Sequence, residues 1–163
     1  VGLEPAPSLT SATLPRVWQG VGYRPLEDPG AARRLFEFAA VAWPDDEPAL
    51  VWGATEDDRL VGALAGERAG SAMFVHGPVV VTDRDPMEVA AQLVAAALEH
   101  ARALGVETLF TRPVGLDRVW VRFGFIPTPE SALPVRLAGR PGSGLYAWRG
   151  GTALWTFREA ARD

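Results

Sequence analysis

Between Met87 and Leu104 apolar side chains recur at Val89, Leu93, Ala96, Ala97, Ala101 and Leu104, and Gly105 supplies the left-handed residue that stops a helix. On either side the pattern changes to continuous β-branched and aromatic runs, FVHGPVVV before and VETLFTRP after, which predict strands. A strand–helix–strand crossover of this length favours parallel pairing of the two. Upstream, ALVWGAT and LVGALAGE flank the acidic turn EDDR, and the short RAG connection leads into SAMFVHGPVVV, so three antiparallel neighbours are expected. GYRPL predicts a short strand. EDPGAARRLFEFAAVAW predicts a helix striped by Leu35, Phe36, Ala39, Ala40 and Trp43, ending before PDDEP. Downstream, LDRVWVRFG predicts a short helix. FIPTPE and LYAWRG predict two strands joined through the loop AGRPGSG, and Thr152 to Arg162 a terminal helix. The first twenty residues are rich in Pro, Ser, Thr and Gly and have no period. The organisation expected is therefore a loose arm over 1–20, one α/β domain over 21–150 and a C-terminal helix over 151–163.

Composition narrows the chemistry. A chain of 163 residues, 48% hydrophobic, suffices for one buried core. The formal charge of −4 and the lack of any basic run longer than Arg33 and Arg34 argue against a nucleic-acid partner. There is no cysteine, so thiolate metal sites and a cysteine nucleophile are excluded; with only His76 and His100 as imidazoles, no metal centre is expected. All 16 basic residues are arginine, which removes lysine Schiff-base chemistry. No apolar window approaches a membrane span, and VGLEPAPSLTSATLP lacks the pattern of a signal peptide, so a soluble, cytoplasmic protein without a membrane partner is expected.

The turn TDRDPME before the long helix holds the chemical puzzle. Asp85 before Pro86, with Glu88 third in the first turn, has the composition of a helix cap whose carboxylates take the unpaired amides. Gly77 and Pro78 interrupt the preceding strand, either as a bulge or as an ordinary edge distortion.

The element order, the segment AAQLVAAALEHARALGVETLF and the segment VWVRFGFIP together resemble the GCN5-related N-acetyltransferase (GNAT) superfamily, over roughly Tyr23 to Arg149. The resemblance implies an α/β fold with a mixed, mostly antiparallel sheet flanked by helices, acetyl-CoA as co-substrate, and a small-molecule or peptide amine as acceptor. Relatives bind the CoA diphosphate on a glycine-containing loop at a helix N-terminus. In that register Asp85 stands at a basic position, Glu88 at a glycine and Ala90 at a final Gly or Ala, so only Ala90 conforms. By the same resemblance Arg84 becomes the phosphate partner, and Val79, Val80 and Val81 offer main-chain contacts to the pantetheine arm. Trp120 replaces the acid tyrosine that some relatives carry, and becomes core or pocket wall. His76 or Glu67 is the candidate base and Tyr146 the candidate acid. Each has a plainer reading: a packed histidine, an exposed strand-end glutamate, an anchored core tyrosine. His100 falls on the solvent side of its helix by spacing. The tail residues Leu154, Trp155 and Phe157 are expected either to pack on the sheet or to form a homodimer interface. Two functions stay open: acetyl transfer to a primary amine, and a catalytically silent binding or dimerising module whose helix is self-capped by Asp85 and Glu88.

Overall fold

The computed structural model describes residues 11–113, 115–142 and 144–149. Their strands form one eight-stranded sheet in the order β1-β2-β3-β4-β5-β6-β8-β7. In chain order these are β1 (Arg16–Trp18), β2 (Val21–Pro25), β3 (Leu50–Glu56), β4 (Arg59–Ala69), β5 (Ala72–Val80), β6 (Thr108–Thr111), β7 (Ile126–Pro127) and β8 (Tyr146–Arg149). Helix α1 (Gly30–Phe38) follows β2, α2 (Pro86–Ala103) joins β5 to β6, and α3 (Asp117–Arg122) follows β6. Only β5 and β6 pair in parallel; every other neighbouring pair is antiparallel. This is the mixed, mostly antiparallel sheet that the sequence implied. It follows from the connections: hairpins join neighbours in β3–β4–β5, whereas the 18-residue α2 carries the chain across one face.

That face holds the larger core. Leu64, Met73 and Leu109 from the sheet meet Leu93, Val94 and Leu98 of α2, with Trp120 and Phe125 closing the α3 end. Burying each of the leucines is worth about 1.5–3 kcal/mol. The alanines of α2 let the helix lie close to the strands: Ala90, Ala91, Ala96 and Ala101 have no exposed surface. On the other face α1 covers a smaller cluster, in which Phe36 packs edge-on against Trp43 with ring centroids 5.0 Å apart. A third cluster, including Phe74, Phe110 and Leu137, lies under the loops before β8.

Four sequence expectations are corrected. Order does not begin near Val21: Ser11–Thr13 forms a 3-10 turn and β1 pairs with β2 through a turn in which Gln19 and Gly20 adopt positive φ. A three-residue strand has too short a period to register in the sequence. Helix α1 ends at Phe38 rather than Trp43, because Ala40 turns left-handed at φ 58° and Val41 N–H donates to the Phe36 carbonyl, a helix-ending arrangement. His100 does not face solvent as an inert residue; its Nδ1 accepts the Trp52 indole N–H at 3.0 Å, because α2 is buried around more of its circumference than a single stripe. FIPTPE contributes only Ile126–Pro127 to the sheet. The predicted helix over Thr152–Arg162, and with it Leu154, Trp155 and Phe157, lies outside the described residues. Among the described residues no helix is long and apolar enough to cross a membrane.

Candidate active site

The site is built where β5 and β6 part. Their pairing runs from Ala72 opposite Thr108 to Val75 opposite Thr111 and stops there. The Thr111 hydroxyl donates to the Val75 carbonyl at 2.9 Å, closing the last rung. Beyond it β6 has ended, while β5 continues along β4. The register against β4 shifts from Ala65 opposite His76 to Ala63 opposite Val79, so one extra residue of β5 is accommodated around Gly77 and Pro78. Of the two readings the sequence left open at Gly77 and Pro78, the bulge is the one present. Gly77 has φ +90°, and a Cβ there would stand 3.0 Å from Val79 N and 3.1 Å from the Ala63 carbonyl, so a side chain is excluded on both counts.

The bulge also decides which main-chain groups face the opening. Val81 N–H donates to the Val61 carbonyl at 2.8 Å, and the antiparallel ladder continues with Val80 opposite Gly62 and Val79 opposite Ala63. Hydrogen-bonded and non-bonded pairs alternate in such a ladder. Val79 and Val81 are therefore turned to β4, and Val80 alone of the three points its N–H and C=O away from it, toward the gap left by β6.

His76 is the first residue past the last β5–β6 rung, on the face opposite α2. Its Nε2 lies 2.6 Å from Glu67 Oε1 on the adjacent strand β4. Both side chains are buried, at 7% and 3% exposure. A carboxylate only accepts, so Nε2 carries the proton and Nδ1 is left with its lone pair. Burial holds the imidazole below its ordinary pKa against the raising effect of Glu67, so the ring is neutral near pH 7. Arg140 completes the group, with Nε 3.0 Å from Glu67 Oε1 and Nη2 2.8 Å from Oε2. For Glu67, burial pushes the pKa up, but the hydrogen bonds from Arg140 and His76 outweigh it and carry the carboxyl below its usual range. A second bidentate pair, Arg112 on Glu130 at 2.7 and 2.6 Å, supports the first, because Arg112 Nε also holds the Arg140 carbonyl at 3.1 Å. Beside His76 opens a cavity of about 260 Å³ lined by Val41, Ala42, Phe74, Arg112, Pro141 and Gly142 among others.

On the α2 side the sequence reading is revised. Asp85 does occupy the N-cap position of α2, at φ 49°, but neither its side chain nor any other caps the helix. Glu88 is turned away from the amides: Oε1 accepts from Gln92 Nε2 at 2.8 Å and Oε2 lies 3.8 Å from Arg122 Nη1 on α3. The self-cap expected from Asp85 and Glu88 is therefore not made, because side-chain partners within α2 and on α3 compete for Glu88, and the left-handed backbone at Asp85 departs from the extended conformation of a capping residue. Arg84, expected to meet a phosphate, instead pairs with Glu56 at 2.7 Å and donates to the Gln19 carbonyl at 3.0 Å. Ala90 is wholly buried in α2 and presents nothing to a ligand. Gln92 Oε1 is a buried acceptor with no hydrogen-bond partner among the described residues.

Trp120 is 1% exposed and packs edge-on against Phe125 at 4.8 Å, so it is a wall of the α2-side core. Its indole N–H finds no acceptor among the described residues. Tyr146 lies opposite Thr111, at the end of β6, and packs toward that same core, not toward His76. The structure thus brings His76 and Glu67 together and keeps Tyr146 on the other side of the opening. Arg112, Glu130 and Arg140 went unnoticed in the sequence. An arginine inside the Gly- and Pro-rich AGRPGSG was the one available signal. No acidic or histidine cluster among the described residues is able to hold a metal ion.

No family model matches the chain by sequence. No curated protein sequence matches it either. Solved structures do match in three dimensions. N-acetylglutamate synthase from Neisseria gonorrhoeae, crystallised with coenzyme A and L-arginine, is 16% identical with a TM-score of 0.64 over 81% of this chain, which spans only 34% of that protein. The ribosomal-protein-S18-alanine N-acetyltransferase of Escherichia coli is 17% identical with a TM-score of 0.61, over 82% of this chain and 96% of the other. A GNAT family N-acetyltransferase from Escherichia coli in complex with CoA is 18% identical with a TM-score of 0.57, over 82% and 83%. Together with the parted β5 and β6, the bulge on β5 and the crossover helix α2, these likenesses show that the chain has the GCN5-related N-acetyltransferase fold.

Proposed function

We propose that the protein is an N-acetyltransferase that moves an acetyl group from acetyl-CoA to a primary amine. The observation that carries this reading is the position of the buried His76–Glu67 pair at the point where β5 and β6 separate.

The residues fit the pantetheine half of CoA. That arm is a chain of amides, and the gap offers it the Val80 N–H and C=O. The diphosphate half meets a mixed setting. The first turn of α2 has no side-chain cap, which leaves a helix N-terminus for an anion, and Arg122 stands near it. Asp85 and Glu88 oppose that charge.

Acetyl-CoA supplies a thioester carbonyl open to attack by an amine. An alkylamine is protonated at neutral pH, with a pKa of about 10, and must lose a proton to become a nucleophile. His76 Nδ1 accepts it, and the imidazolium formed is stabilised by Glu67 at 2.6 Å. Arg140 keeps Glu67 ionised and in place. Val80 N–H polarises the acyl oxygen, and the Tyr146 hydroxyl on the α2 side protonates the departing thiolate. Holding both reactants across the parted strands contributes the largest share, on the order of 7 kcal/mol.

The test is release of CoA from acetyl-CoA in the presence of amines, with the acetylated product identified by mass spectrometry. Amine-dependent release that His76→Gln abolishes supports the reading. Tight CoA binding without transfer to any amine favours the silent module.

A further inference from the structure

We infer that the acceptor is a compact monoamine with an apolar body, not a polyamine, an aminoglycoside or an amino acid; this rests on the acetyltransferase reading. The cavity beside His76 has a volume of about 260 Å³. At about 30 Å³ per water volume it has room for roughly nine waters, the bulk of a small arylalkyl or branched alkyl amine. Val41, Ala42, Phe74 and Pro141 give it apolar walls, and the Phe74 ring lies 4.9 Å from the His76 ring.

Charge decides the class. A second ammonium on the acceptor needs an uncommitted carboxylate, and no Asp or Glu is among the described residues that line this cavity. Glu67 is taken bidentately by Arg140 and also meets His76. Glu130 is taken bidentately by Arg112. Asp46 and Glu47 line a neighbouring cavity on the far side of Glu67, where Arg68, Arg136 and Arg140 stand beside them. Asp45 reaches His76 only as the weakest of the influences on it and is solvent-exposed. The charged side chain among the described residues lining the cavity is Arg112, a cation. An acceptor carboxylate fares no better, since the same guanidinium is already held by Glu130 and by the Arg140 carbonyl. An apolar body has no such competition and releases water from Phe74 and Val41 on entering.

The experiment compares kcat/KM for 2-phenylethylamine, isoamylamine, spermidine, kanamycin and L-glutamate with acetyl-CoA saturating. The two apolar monoamines are expected to exceed the others by at least about tenfold. Ala42→Asp, at an exposed rim position, places a free carboxylate at the mouth and is expected to shift the spermidine-to-phenylethylamine ratio toward spermidine by about tenfold. Preference of the unaltered protein for spermidine, kanamycin or glutamate overturns the inference while leaving acetyl transfer intact. If no amine is acetylated, the reading beneath it fails, and an NMR titration of the His76 ring nitrogens judges the pocket alone. A larger shift with spermidine than with phenylethylamine then overturns the inference as well.

Discussion

The two sides of the parted strands are built by different rules. On the His76 side the buried Glu67 is held by Arg140, and the exposed Glu130 is held by the buried Arg112. The strands, the bulge and the AGRPGSG loop are tied together by these pairs. On the α2 side the carboxylates Asp85 and Glu88 stand at a helix start without capping it, and Glu88 meets Arg122 only at 3.8 Å. The His76 side is thus pre-formed by charge-assisted hydrogen bonds. The α2 side leaves the first turn of its helix without a side-chain cap and carries charges that do not favour an anion.

The largest effect that tests this contrast is chemical. His76→Gln keeps the ring's bulk approximately and removes the base, so acetyl transfer is expected to fall by about 10²–10⁴-fold with CoA affinity unchanged, read by steady-state kinetics beside calorimetry. A loss of CoA affinity would show instead that His76 holds the opposite side together.

Next comes stability. Glu67→Gln leaves Arg140 and His76 without their carboxylate, and breaking such a buried pair costs about 3 kcal/mol, measurable by denaturant unfolding. The pH dependence follows the same pair. Both His76 and Glu67 have folded pKa values below their ordinary ones, so the unfolded chain binds protons first as pH falls. Their contribution is complete above about pH 6.5, the ordinary histidine value, and is lost on acidification, first through the histidine range and then through the carboxylate range. His100, also lowered by burial, adds to the first step with the same sign. A melting temperature that rises on acidification from pH 7 to 4 would contradict the assignment.

The smallest expected effect belongs to the α2 side. Glu88→Gln removes a charge near the proposed diphosphate and is expected to tighten CoA binding by about 1 kcal/mol, roughly fivefold, at low salt. The same exchange is expected to leave acceptor preference as it was, since Glu88 does not line the cavity beside His76.

The sequence showed the crossover around α2, the parallel β5–β6 pair and the bulge, because each has a local signature: helical spacing from Val89 to Leu104, continuous β-branched runs, and Gly77 beside Pro78. His76 and Glu67 were visible as separate candidates. Their union was not, since it needs the β4–β5 register, and a one-residue change in register turns each side chain to the other face. Arg140 lay further out of reach, as its contact to Glu67 spans 73 positions and comes from a loop whose composition announces only flexibility. The expected cap at Asp85 failed for a related reason. Residue types at the right spacing define what a helix start is able to do, but Gln92 and Arg122 were better placed to engage Glu88.

On the proposed reading, the gap between β5 and β6 receives acetyl-CoA through main-chain groups of β5. Calorimetric titration of acetyl-CoA into the unaltered protein and into Val80→Pro tests it most directly. Proline removes the one N–H of this segment that faces the gap, without taking a bond from the β4 ladder. Saturable binding is expected, weakened at least about tenfold by Val80→Pro while the melting temperature stays within a few degrees. Absence of binding at millimolar acetyl-CoA, or binding indifferent to Val80→Pro, would contradict it.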